Sequence, residues 1–166
     1  MRLLFDSEWY CSRYDVPDTF KRDPLKHYLE LGILSGNNPH PLFQTDFYLS
    51  QAGRNLEIEN PVEHFLKIGV HAQFSPHPLF SIRWYLATYK DVADSGINPL
   101  IHYLKYGASE GRNPSEQFDQ TWYLSEYKDV IENGMNALVH YCLYGRNEGR
   151  YQNPLEKFSK ENPFST

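Results

Sequence analysis

The chain has little of what most functional classes require. Its 166 residues hold only two cysteines, Cys11 and Cys142, and nothing around either suggests the lowered pKa of a catalytic thiol, so that and a disulfide are the weaker readings. Basic charge is not in excess: 16 Lys and Arg stand against 21 Asp and Glu, for a formal net charge of −5. The basic residues are scattered, with clusters no longer than pairs such as Lys21-Arg22. The basic face that nucleic acid demands is therefore missing. No apolar run approaches the ~18 residues of a membrane span. Asp6 and Glu8 interrupt the first apolar stretch too early for a signal peptide. A cytoplasmic chain without membrane insertion is expected. Phosphate-cradling glycine loops and the Gly-x-Ser-x-Gly elbow are absent. The pattern calls for no cofactor, no metal and no catalytic residue, and so for no enzyme.

Aromatic residues are abundant, at 16% of the chain with 13 Tyr. They recur with a period. An aromatic pair appears as Trp9-Tyr10, Phe47-Tyr48, Trp84-Tyr85 and Trp122-Tyr123. A His-aromatic pair appears as His27-Tyr28, His64-Phe65, His102-Tyr103 and His140-Tyr141. Gly32, Gly69, Gly107 and Gly145 follow each His, and Phe5, Phe43, Phe80 and Phe118 precede each aromatic pair. All step by 37 or 38 residues, which marks a tandem repeat. The units are residues 4–41, 42–78, 79–116 and 117–154, with 155–166 a tail or the stub of a fifth.

Each unit reads as two helices. Asp6, Ser81 and Asp119 are suitable N-caps for the first, and Gln44 is a poor one. The Phe before the cap and the Tyr of the pair have the spacing of a hydrophobic staple. Tyr85, Tyr89 and Val92 lie at i, i+4 and i+7, one face of a helix that Gly96 would end. The second helix opens with a cap residue and, in three units, Pro at its first position: Asp23-Pro24, Asn60-Pro61, Asn98-Pro99 and Asn136-Ala137. The repeat glycine either ends this helix or permits close approach while the helix runs on to Glu110, with Gly111 as the stop. Leu100, Tyr103 and Leu104 form one stripe, with His102 and Tyr106 roughly opposite. A helix apolar on two sides is expected to be sandwiched. Asn38-Pro39, Ser75-Pro76, Asn113-Pro114 and Asn153-Pro154 are read as breaks between units. Unit two is the most eroded, with Ala52-Gly53-Arg54-Asn55 where the others have Tyr-x-x-Val. The chain from Glu161 onward is expected to fray. The expected fold is all-α, with four helical hairpins stacked as a short solenoid-like array.

The repeated histidines invite a metal reading. Helices pack ~8–10 Å apart, so equivalent imidazoles on neighbouring units stand too far apart for ~2.1 Å bonds to one ion. A structural role, bonding a neighbouring backbone or carboxylate group, is expected instead. His40 and His77 share a Pro-His-Pro-Leu-Phe context and read as turn residues. Cys11 and Cys142 align with leucines and read as small buried hydrophobes. Trp9, Trp84 and Trp122 are expected to be buried beside the staple. Asp91 with Arg112 and Asp129 with Arg150 read as ion-pair ties. The alternative makes Arg112 and Arg150 a patch for an anionic ligand.

The pattern Phe-Asp-x-x-Trp-Tyr-Leu-x-x-Tyr-x-Asp-Val, then Asn-Pro-Leu-x-His-Tyr-Leu-x-x-Gly, then Glu-Gly-Arg-Asn-Pro resembles a known repeat. It is similar to the short tandem repeats appended to bacterial glycosyltransferases and related proteins of O-antigen, capsule or other surface-polysaccharide synthesis. The resemblance spans about residues 4–154. It implies a cellular setting rather than a reaction, since such repeats lie outside the catalytic domains. The expected function is a scaffold that docks a protein partner, a glycosyltransferase or an assembly protein. The alternative is a carbohydrate-binding module using exposed Tyr and Trp.

Overall fold

The computed structural model describes residues 1–52 and 57–163. The eroded segment of unit two falls largely outside these residues. The described chain is all-α and contains no strand. It divides into two compact units, Met1–Pro78 and Leu79–Thr166. Each holds two repeats.

In the first unit, repeat one carries α1 (Ser7–Arg13) and α2 (Pro24–His27). Repeat two carries α3 (Thr45–Ser50) and α4 (Pro61–His64). In the second unit, repeat three carries α5 (Ile82–Thr88), α6 (Lys90–Ser95) and α7 (Pro99–His102). Repeat four carries α8 (Gln120–Glu126), α9 (Lys128–Glu132) and α10 (Ala137–His140), and α11 (Pro154–Glu161) follows.

The first helices start where the caps place them. The carboxylates of Asp6 and Asp119 and the Ser81 hydroxyl accept from the backbone N–H of Trp9, Trp122 and Trp84. Gln44 makes no such side-chain bond. Asp23, Asn60, Asn98 and Asn136 cap the second helices in the same way. The staple forms in every repeat, with Phe–Tyr ring centroids 5.0–5.3 Å apart. The same Phe meets the ring after the repeat histidine at 5.4–5.7 Å. Three aromatic rings thus form the centre of each repeat.

One reading of the helices changes, and an alternative left open by the sequence is decided. Tyr85, Tyr89 and Val92 do not share one helix. The chain leaves helical geometry at Tyr89 (φ −106°, ψ 87°) and again at Tyr127 (φ −117°, ψ 78°). The bend lets the Tyr89 and Tyr127 hydroxyls accept from the N–H of Asn113 and Tyr151, at 2.7 and 2.9 Å. Tyr14 does the same for Asn38 at 2.8 Å. Gly96 and Gly134 then end α6 and follow α9 with φ of 68° and 63°.

The second helices run to the repeat glycine and no further. Each widens into a π-helical turn: Tyr28–Gly32, Phe65–Gly69, Tyr103–Gly107 and Tyr141–Gly145. The chain then turns at Gly36, Gly111 and Gly149, with φ of 69–72°. Repeat two has Gln73 at this place, with φ 59°.

Each repeat is closed by one backbone bond from the first helix cap to the end of the repeat. Asp6 N–H donates to Pro39 O, Gln44 to Pro76, Ser81 to Pro114 and Asp119 to Gln152, at 2.8–3.1 Å. Asn153-Pro154 is a break, the one before α11, but this alignment shifts its equivalence. Tyr151-Gln152, not Asn153-Pro154, corresponds to Asn113-Pro114. Asn153 instead caps α11 by accepting from Glu156 N–H. Glu161, where fraying was expected to begin, is the last residue of α11.

Candidate interaction surface

The repeat histidines are bound inside each repeat. The Tyr of the aromatic pair and the His Nδ1 are hydrogen-bonded: Tyr10–His27 at 3.0 Å, Tyr48–His64 at 2.6 Å, Tyr85–His102 at 3.0 Å and Tyr123–His140 at 2.9 Å. The partner is thus a phenol rather than the backbone or carboxylate group expected. Burial raises the pKa of all four tyrosines, so the hydroxyls stay protonated. Asn37 donates to the Tyr10 oxygen at 3.0 Å. The Tyr10 proton is therefore directed at His27 Nδ1, which places the ring proton on Nε2.

The repeat glycine completes this arrangement. A Cβ at Gly32, Gly69, Gly107 or Gly145 would stand 2.1–2.3 Å from the Tyr oxygen. Only glycine lets the hydroxyl reach the histidine across the π turn. Tyr10, Tyr48, Tyr85, Tyr123, Tyr28, Phe65, Tyr103 and Tyr141 are buried, as are His27, His102 and His140, with His64 half-buried. These residues pack against and bond one another inside each repeat. Among the described residues no group of three or more His, Cys, Asp or Glu is placed to hold a metal ion.

Arg112 and Arg150 are engaged in ion pairs. Each guanidinium grips Asp91 or Asp129 with two bonds of 2.8–2.9 Å. Its Nε meets Glu110 or Glu148 at 2.6 Å. The planar group lies over Tyr89 or Tyr127, 4.8–4.9 Å from the ring centre. The arginines hold both aspartates below the usual carboxylate range. With two carboxylates on each fork, these sites are a poor receptor for a further anion.

The exposed aromatic and apolar residues follow a different division from the one expected. Trp9, Trp84 and Trp122 are half-buried rather than buried, and Phe47 at the equivalent place is half-buried too. Adjacent residues on a helix point about 100° apart, and the Tyr of each pair takes the inward direction. The indoles lie edge-on to Tyr14, Tyr89 and Tyr127, at 6.0–6.1 Å. Tyr106 is not sandwiched either. It is half exposed beside His102, as Tyr144 is beside His140. Leu31 and Ile68 hold the same place in the first unit, and all four residues are 45–54% exposed.

Cys11 is exposed, not buried, and Cys142 is half-buried. The leucines aligned with Cys11 are themselves half-buried. Burial pushes the Cys142 thiol up to about 12, so it is not a nucleophile near neutral pH. In the second unit a groove of about 330 Å³ runs between repeats three and four, with Leu104, Ala108, Leu124, Ile131 and Met135 among its walls. Among the described residues no helix is long and apolar enough to cross a membrane.

Compared with protein-family models, with curated proteins and with solved structures, the chain matches none.

Proposed function

We propose that this chain is a non-catalytic docking module for a protein partner, an enzyme or assembly protein of bacterial surface-polysaccharide synthesis, acting in the cytoplasm. One observation carries the docking reading. Every repeat puts a large apolar side chain at the same surface position: Leu31, Ile68, Tyr106 and Tyr144. Single exposed apolar residues are ordinary, but the same position exposed in both repeats of each unit is the pattern that partner-binding helical repeats use. The polar groups of the repeat favour the same reading, since the Tyr–His pairs and the Arg–carboxylate clamps spend their bonds on each other. The polysaccharide setting rests on the repeat motif alone.

The test compares the parent chain with a variant carrying Leu31→Ser, Ile68→Ser, Tyr106→Ser and Tyr144→Ser. Both are immobilised and exposed to lysate of a polysaccharide-producing bacterium. The expected result is a glycosyltransferase or assembly protein retained by the parent and lost by the variant, at unchanged circular dichroism. Identical retention by both chains would sink the proposal.

Tyr106 and Tyr144 also support a second reading. A half-exposed phenol ring can stack on a sugar face. A glycan that binds the parent but not Tyr106→Ala/Tyr144→Ala would favour a carbohydrate-binding module.

A further inference from the structure

The four repeats are not equally covered. At the first position of the first helix, Thr45, Ile82 and Gln120 are 0–1% exposed. Ser7, the equivalent in repeat one, is exposed. The staple residues Phe43, Phe80 and Phe118 are fully buried, whereas Phe5 is half-buried. Val62, Leu100 and Leu138 are buried, whereas Leu25 is half-buried, and Pro24 differs from Pro61 and Pro99 in the same way. The uncovered positions of repeat one lie together. They line an open pocket of about 480 Å³, with Phe5, Pro24 and Leu25 as its apolar wall and Arg2, Arg22 and Asp23 at its polar edge.

The same positions elsewhere show what such a face accepts. In the first unit, Thr45 N–H donates to Asn38 Oδ1 and its hydroxyl to Asn37 O, at 2.8 and 2.9 Å. In the second, Gln120 accepts from Tyr103 at 2.8 Å and donates to Ala108 O at 3.1 Å. A neighbouring repeat covers the face in both cases, through the loop residues Asn37 and Asn38 in the first unit and through Tyr103 and Ala108 in the second. The corresponding face of repeat one is open among the described residues.

The C-terminal part of the chain carries an exposed apolar segment. On α11, Leu155 and Phe158 are 77% and 58% exposed. They are three residues apart, so they share a helix face. Glu161, on the last turn, is exposed too. Among the described residues Arg2 and Arg22 make no ion pair, so an acidic side chain arriving with α11 finds two free guanidinium groups. Two sockets facing each other would instead oppose four arginines.

We propose that the open face of repeat one is a socket for α11 of a second copy of this chain, giving head-to-tail self-association. Leu155 and Phe158 enter beside Phe5, Pro24 and Leu25, and Glu161 meets the arginine edge.

Sedimentation velocity on the full chain, over rising concentration, tests this. The parent should sediment faster as concentration rises, and added salt should weaken the effect. Leu25→Glu and Phe158→Glu should each remain monomeric, with unchanged circular dichroism. Ser7→Arg, at an exposed position, gives a second socket variant in case Leu25→Glu fails to fold. Mixing a socket variant with Phe158→Glu should restore association, but only as far as a dimer, because each chain keeps one working end. A parent that stays monomeric at every concentration overturns the proposal. So does Phe158→Glu that associates like the parent, since the contact would then be socket to socket or elsewhere.

Discussion

Replacing Gly107 with alanine separates the two forces that act at the repeat glycine. Helix propensity alone favours the change by about 1 kcal/mol, because alanine loses less backbone freedom on folding. Packing opposes it. The new Cβ would sit 2.3 Å from the Tyr85 oxygen, 3.3 Å from His102 Nδ1 and 3.5 Å from Tyr103 Cδ2. Tyr85 and Tyr103 are fully buried and His102 is 7% exposed, so none can move aside into solvent. Overpacking of this kind costs about 1–3 kcal/mol. The Tyr85–His102 bond of 3.0 Å must also lengthen or break, which adds about 1–3 kcal/mol for a buried pair left unsatisfied. After the propensity gain is subtracted, a net loss of about 1–5 kcal/mol is expected.

Urea denaturation followed by far-UV circular dichroism measures this loss. A double-mutant cycle with Tyr85→Phe identifies its cause. Removing the hydroxyl removes the atom that the Cβ strikes, so the double variant should be more stable than the two single losses added together, by about 1–3 kcal/mol. If Gly107→Ala stabilises the protein by about 1 kcal/mol, as propensity alone would have it, the close approach is not what keeps glycine there. Simple additivity in the cycle would likewise separate the glycine from the Tyr–His bond.

Other positions give sharper contrasts. Tyr103 and Tyr28 hold equivalent sites, but the Tyr103 hydroxyl donates to Gln120 and the Tyr28 hydroxyl is buried without a partner. Tyr103→Phe should cost about 1–3 kcal/mol in urea melts, and Tyr28→Phe should be neutral or stabilising. Gln73 occupies a left-handed position, φ 59°, where the other repeats have glycine. Gln73→Gly should raise the melting temperature, for a gain of up to about 1 kcal/mol after the entropy of the freer unfolded chain is counted. Burial lowers the pKa of His40 from 6.5 to about 4. The folded state therefore disfavours the charged ring, so its stabilising effect is complete above pH 6.5 and is lost as pH falls towards 4. The loss reaches about 3 kcal/mol, and stability measured across that window should be flatter in His40→Ser, the residue that Ser115 supplies in repeat three.

Local rules were legible because they depend on a few neighbouring residues. Asp6, Ser81 and Asp119 were recognisable as caps, Gln44 as a poor one, and the Phe–Tyr staples from their spacing. The Tyr–His bond was not, although its signal was present: Tyr, His and Gly keep nearly fixed offsets in all four copies. Spacing shows that three residues belong together, but not that a π turn brings them into contact. Of Trp84 and Tyr85 only one can face the core, and periodicity does not say which. The phenol turns inward because its oxygen finds His102 there. The error over Cys11 has a related origin. Alignment with leucines gave it their environment, and that environment is a half-buried surface.

The repeat and its junctions obey different constraints. Inside each repeat the Tyr–His–Gly arrangement recurs four times with the same geometry, because any change to one member disturbs the other two. Between repeats, each junction has its own bonds. Thr45 uses a short hydroxyl to reach Asn37 O. Gln120, at the equivalent place, uses a longer amide that reaches both Ala108 O and the Tyr103 hydroxyl. Threonine at that place leaves the equivalent tyrosine, Tyr28, buried without a partner, whereas glutamine satisfies Tyr103. The copies are therefore alike as folding units but not interchangeable as neighbours. Exchanging Thr45 and Gln120 would leave Tyr103 only its longer bond to Asn136 Oδ1, at 3.4 Å, while leaving every helix cap and every Tyr–His pair intact. Order along the chain is written in these junction residues, and the repeat signature carries no information about it.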